Sequence, residues 1–112
     1  MSDNKEHNDD LYAYRDIPEN PIILDFSKCN SITALHTMLN DKFGLPLFCG
    51  KNWDAFWDLA RDCFYGEEEN YIVEIHNFYT MEKKLYNYCK PMLEIFEDIQ
   101  KENSNVFFVY IS

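Results

Sequence analysis

Asp54, Asp58 and Asp62 recur at every fourth position in Asn52-Trp53-Asp54-Ala55-Phe56-Trp57-Asp58-Leu59-Ala60-Arg61-Asp62. On a helix this spacing stacks carboxylates about one turn apart on one face, where like charges repel by a few tenths of a kcal/mol. Local stability therefore does not select the row. The helix dipole favours an acid in the first turn by ~0.3–1 kcal/mol at exposed sites, which accounts for Asp54 but poorly for Asp58 and Asp62. Such a row could act as general acid and base, hold a cation, face a basic partner, or simply form a solvated surface.

The first two uses find little support. Acid–base work on a sugar or phosphodiester requires two carboxyls in different environments, and neighbouring turns of one exposed face give no asymmetry. A metal needs convergent ligands from other elements, and the sequence supplies no such set. It contains no G-x-S-x-G, P-loop, H-E-x-x-H or dinucleotide fingerprint. The expectation is a non-enzyme with no catalytic residue, cofactor or metal.

The element that positions the row is a helix over 53–64. Turned at about 100° per residue, it places Trp53, Phe56, Trp57, Leu59, Ala60, Cys63 and Phe64 on one side and the three acids on the other. Asn52 supplies a cap for the free N–H groups of the first turn, and Pro46 and Gly50 shape the loop before it with a fixed and then a permissive φ. Trp53 and Trp57 are expected to pack against a sheet, with Trp53 the more exposed. Phe48, in the loop, is placed to be shown to a partner.

Charge sets the class of that partner. The net charge of −10 argues against direct contact with nucleic acid, whose phosphates demand clustered Lys and Arg, and favours a basic protein steered in electrostatically. Cys29, Cys49, Cys63 and Cys89 show neither C-x-x-C pairing nor zinc-finger spacing and read as small apolar residues of a reducing compartment. There is no apolar run of signal-peptide or membrane-spanning length, so a cytoplasmic location is expected.

The remainder of the 112 residues, 46% of them hydrophobic, provides material for one core. Residues 1–20 read as an acidic, disordered or loosely docked tail, in which Leu11, Tyr12 and Tyr14 form the alternative of a partner-binding segment. Residues 21–112 form the domain. Strand one is Ile22-Ile23-Leu24-Asp25-Phe26; then Asn30 or Ser31 caps a helix with Ile32, Leu35, Met38, Leu39 and Phe43 inward, stopped by Gly44. His36 lies at the margin of that apolar face and is expected to be partly buried.

Strand two, Tyr71-Ile72-Val73-Glu74-Ile75, is apolar enough to suggest burial on both faces. Asn77 or Thr80 is set to cap a helix using Met81 and Leu85, Pro91 to open a fresh helix with Met92, Ile95, Phe96 and Ile99 inward, and 106–111 to form strand three. The pattern predicts a small α/β domain, a three-stranded mostly parallel sheet with about four helices.

The segment Leu45-Pro46-x-Phe48-x-Gly50-x-Asn52-x-Asp54-Ala55-x-Trp57-Asp58 resembles the signature of the barstar family, intracellular inhibitors of a secreted bacterial ribonuclease, and the resemblance covers about residues 22–112. It implies that loop and helix plug the nuclease active site, with carboxylates where RNA phosphates would lie. Asp58 would be the central carboxylate, with Asp54 and Asn52 beside it, Phe48 and Gly50 in the loop, Asp62 further along the acidic row, and Asp98 reaching in from the last long helix. The implied partner is a barnase-like ribonuclease or a related basic nuclease toxin, bound by a monomer; the alternative is a module of this fold for a basic partner that is not a nuclease. Five positions depart from the namesake: Phe48 and Cys49 for two tyrosines, Lys51 for an acid, Cys63 for an aromatic, and Asp98, which keeps its charge on a shorter stem.

Overall fold

The computed structural model describes residues 11–111. Strands β1 (Ile22–Asp25), β2 (Tyr71–His76) and β3 (Val106–Tyr110) form one sheet in the order β1-β2-β3, with both pairings parallel. Parallel neighbours require crossovers. The first carries α1 (Ile32–Lys42) and α2 (Trp53–Ala60), the second α3 (Lys83–Tyr88) and α4 (Lys90–Glu102). This is the three-stranded, four-helix α/β domain that the strand and helix pattern predicts.

Register sets the core. Ile22 pairs with Val73 and Leu24 with Ile75, while Tyr71 pairs with Val106, so these side chains share one face and are buried. Leu35 and Leu39 of α1, Phe56 and Ala60 of α2, and Met92, Phe96 and Ile99 of α4 complete the core. Phe43 sits at its middle, with ring centroids 5.8 Å from Phe56, 6.0 Å from Phe64 and 6.1 Å from Phe96. Burying one such ring contributes about 1.5–3 kcal/mol.

Strand two is not buried on both faces. Exposure alternates along it, and Ile72, Phe107 and Val109 on the far side are 40%, 46% and 41% exposed. The apolar run reflects β-propensity and neighbour packing on an open face rather than a second helical layer.

Four local expectations are corrected. Regular α2 ends at Ala60, not residue 64, because the hydrogen bonds tighten to Asp62 N–H to Leu59 O and Cys63 N–H to Ala60 O, which turns Phe64 into the core. His36 is fully buried rather than marginal. Asn77 is left-handed at φ 60° and donates from Nδ2 to Asp25, while Thr80 donates to the Asn77 carbonyl; α3 begins after Glu82 with no side-chain cap from either.

The fourth concerns the N-terminal segment, for which residues 1–10 lie outside the described residues. Residues 11–20 are tied to the domain by specific bonds, so of the disordered and loosely docked readings it is the docked one that holds, and more firmly than expected. Arg15 N–H donates to Gly44 O at 2.7 Å, its Nε to Leu45 O at 2.7 Å and its Nη2 to Asn40 O at 3.2 Å, and Nη1 pairs with Asp41 at 3.0 Å. Glu19 pairs with Lys42, and Asn20 bonds Asn70 O and the Ile72 N–H. One guanidinium meeting the Asn40 and Leu45 carbonyls and the Asp41 carboxylate around the end of α1 overrides the polar composition of the segment.

Candidate functional site

The end of α1 sets where the site begins. Gly44 N–H donates to Asp41 O and Leu45 N–H to Asn40 O, with Gly44 at φ +65°, a left-handed stop that satisfies the last helical carbonyls. Pro46 O then accepts from Cys49 N–H at 3.0 Å, which turns the loop so that Leu47 and Phe48 stand at its tip, 57% and 49% exposed, while Cys49 points inward.

Gly50 is not in the left-handed region, so a permissive φ is not its role. A Cβ there would lie 3.1 Å from Asn52 Nδ2, and the bare backbone leaves room for that side chain. Asn52, extended at φ −153°, accepts from Ala55 N–H at 2.8 Å through Oδ1. That bond satisfies a first-turn donor of α2 and fixes the helix relative to the loop.

On α2, Phe56 and Ala60 are buried, Trp53 and Trp57 are half-buried, and Asp54 and Asp58 face solvent. Trp53 Nε1 donates to Tyr88 O at 2.9 Å, and the Arg61 guanidinium lies 5.2 Å over the Trp57 ring. Among the described residues the ion pairs are Arg15–Asp41 and Lys42–Glu19, and His76 Nε2 is hydrogen-bonded to Glu74 Oε1 at 2.8 Å. Asp54 and Asp58 are therefore unneutralised within the described domain. What they can do chemically is offer fixed negative charge on a capped, core-anchored helix.

Asp62 does not continue the row. The tightened turn carries it to an open groove of about 910 Å³, whose lining includes Tyr14, Asp16, Cys63, Tyr65 and Glu67. Tyr14 donates its hydroxyl to Leu59 O at 2.7 Å, and burial first, then the Asp62 carboxylate, push its pKa up to about 12, so it remains a donor. Asp98 is half-buried on α4, which packs beside α2 and so presents it from a neighbouring element.

The segment that sequence alone leaves unplaced borders this loop. Phe48 N–H donates to Leu11 O at 3.1 Å, and the Tyr12 ring lies 4.8 Å from that of Phe48. The signal available in the sequence was the run of Leu11, Tyr12 and Tyr14 in an otherwise polar stretch.

Behind the loop, the four cysteines are free, and burial raises the thiols, that of Cys89 to about 12, which keeps them protonated and unreactive. No three His, Cys, Asp or Glu among the described residues gather as a metal site. No helix among them is long and apolar enough to cross a membrane.

Two comparisons with known proteins agree with this architecture. The protein designated "Putative ribonuclease inhibitor YrdF" from Bacillus subtilis (strain 168) is 31% identical over 91 residues, which span 80% of this chain and 96% of that protein. The family described as "Barstar (barnase inhibitor)" matches residues 20–112, a span that holds β1 to β3, α1 to α4 and the acidic face of α2. With that match, a three-stranded parallel sheet and a capped acidic helix behind an exposed loop, the chain belongs to the barstar family.

Proposed function

We propose that this chain is a monomeric, cytoplasmic inhibitor of a basic ribonuclease of the barnase type, an immunity protein rather than an enzyme. Family membership and a relative named as a ribonuclease inhibitor support the inhibitory role. The observation that carries the mechanism is the placement of Asp54 and Asp58, unneutralised among the described residues, on a helix whose other side is fixed in the core. A nuclease cleft is built for phosphates, and these carboxylates offer the charge without a scissile bond. Phe48 and Asn52 flank them from the loop, Gly50 gives Asn52 its room, Asp98 adds charge from α4, and Asp62 stands at the far edge. Complementary fields speed encounter, and charge buried against charge at the centre slows release.

The test is titration of the protein into a barnase assay beside Asp58→Ala, with association rates read at low and high salt. Stoichiometric, Asp58-dependent loss of activity is expected, with association slowing as salt screens the fields. An Asp58→Ala protein that inhibits like wild type would sink this mechanism. Recovery from cell extract of a basic partner that is not a nuclease would favour a binding module of the same fold.

A further inference from the structure

Resting on that inhibitory reading, we propose that residues 11–16 form a second wall of the ribonuclease-binding surface, with Tyr12 and Phe48 acting as a paired aromatic anchor. The two rings meet at 4.8 Å with planes tilted by 47°, yet both stay open to solvent, Tyr12 at 65% and Phe48 at 49%. Leu11 and Leu47 extend the same patch, 46% and 57% exposed. Large apolar side chains gathered in water beside a charged face are the composition of an interface centre, and aromatic rings are the commonest energetic anchors there. Position ties the patch to the acidic face: Phe48 N–H is bonded to Leu11 O, and the same loop runs through Gly50 into the Asn52 cap of α2.

The arm is held in this place by contacts that have no need of a partner. Arg15 grips Gly44, Leu45, Asn40 and Asp41, and Tyr14 reaches Leu59 O at the end of α2. Gly44 is shaped to admit it, since a Cβ there would stand 2.4 Å from the Arg15 carbonyl oxygen. Ordering of the arm thus accompanies folding rather than binding, which preserves affinity. Residues 11–19 precede the span that matches the family, so the wall is an addition to the shared inhibitory face and a place where nuclease choice is set. Its occupant is the apolar and cationic rim of the same ribonuclease, whose Arg or Lys groups can lie over the two rings.

The test measures dissociation from barnase for wild type, Tyr12→Ala, Tyr12→Phe, Asp58→Ala and Tyr79→Ala, the last an exposed aromatic in the 78–80 turn. Tyr12→Ala is expected to dissociate about ten- to a hundredfold faster, a usual loss for an interface aromatic, with Tyr12→Phe restoring most of it and Tyr79→Ala at the wild-type rate. Circular dichroism and an unchanged Tm confirm that the Tyr12→Ala chain is folded. A wild-type rate for Tyr12→Ala beside a weakened Asp58→Ala overturns the wall and leaves the inhibitory reading standing. Tighter binding by Tyr12→Ala overturns it too, because the arm would then be a cover. Failure of the wild type to bind barnase overturns both.

Discussion

His36 Nε2 lies 2.7 Å from the Tyr88 hydroxyl, in a pocket closed by the Trp53 indole, whose centroid is 4.5 Å from the imidazole. Tyr88 also accepts the Trp53 indole N–H through its carbonyl, so α1, α2 and α3 are joined at one point behind the candidate loop.

This pocket makes stability depend on pH. His36 is fully buried, its Nδ1 has no partner in the described structure, and burial first, then Lys51, lower its pKa from 6.5 to about 4. A protonated ring would bring in a charge and a second N–H with no acceptor. Because the folded value is depressed, the unfolded chain binds the extra proton between pH 6.5 and 4, and stability falls as pH drops through that window. The loss approaches about 3 kcal/mol at its foot. Urea unfolding from pH 7 to pH 4 should show it, and His36→Phe should flatten the slope whatever its effect at neutral pH.

Gly44 is required twice over. Its φ of +65° is costly for a residue with a side chain, and a Cβ would lie 2.4 Å from Arg15 O. Gly44→Ala is expected to lower stability by about 2 kcal/mol and to release the N-terminal arm. Urea midpoints give the first quantity. Limited proteolysis near residue 15 gives the second, and an arm as resistant as in wild type would show that Gly44 does not hold it.

Asn52 separates folding from binding in the other direction. Loss of its bond to Ala55 N–H should cost about 1 kcal/mol in Asn52→Ala, while Asn52→Ser, which keeps an acceptor, should recover most of it. By contrast Asp58→Ala, at an exposed position with Asp54 one turn before it, should stay within about 0.5 kcal/mol of wild type. Equilibrium unfolding of the three proteins checks the ranking. Equal losses in Asn52→Ala and Asp58→Ala would mean that the cap carries no particular weight.

Local chemistry made much of the domain readable. Ser31 and Asn52 cap their helices through bonds to residues three positions on, and Gly44 stops α1 through its own φ. Such devices are complete within a few residues, so one-dimensional pattern contains them. The apolar runs at 22–26, 71–75 and 106–111 likewise mark, to within a residue at their ends, the strands Ile22–Asp25, Tyr71–His76 and Val106–Tyr110 that form. The loop and α2 motif carried the family resemblance for the same reason, as its glycine, cap and acids stand in one continuous register.

What tertiary structure decided depends on distant partners. Arg15 turns a polar, acidic stretch into a fixed arm because carbonyls of residues 40, 44 and 45 converge on it, which composition cannot express. Asp62 leaves the row of Asp54 and Asp58 because burial of Phe64 against Phe43 and Tyr71 outweighs another turn of helix. His36 goes fully inside because Trp53 and Tyr88 close over it from two other helices, and β2 keeps an open face because its crossover helices cover the other one. Sequence by itself determined elements, caps and the family motif, whose energies are local. Only the tertiary structure decided which polar residues are anchored, buried or left facing solvent, since desolvation and long-range hydrogen bonds depend on neighbours far away in the chain.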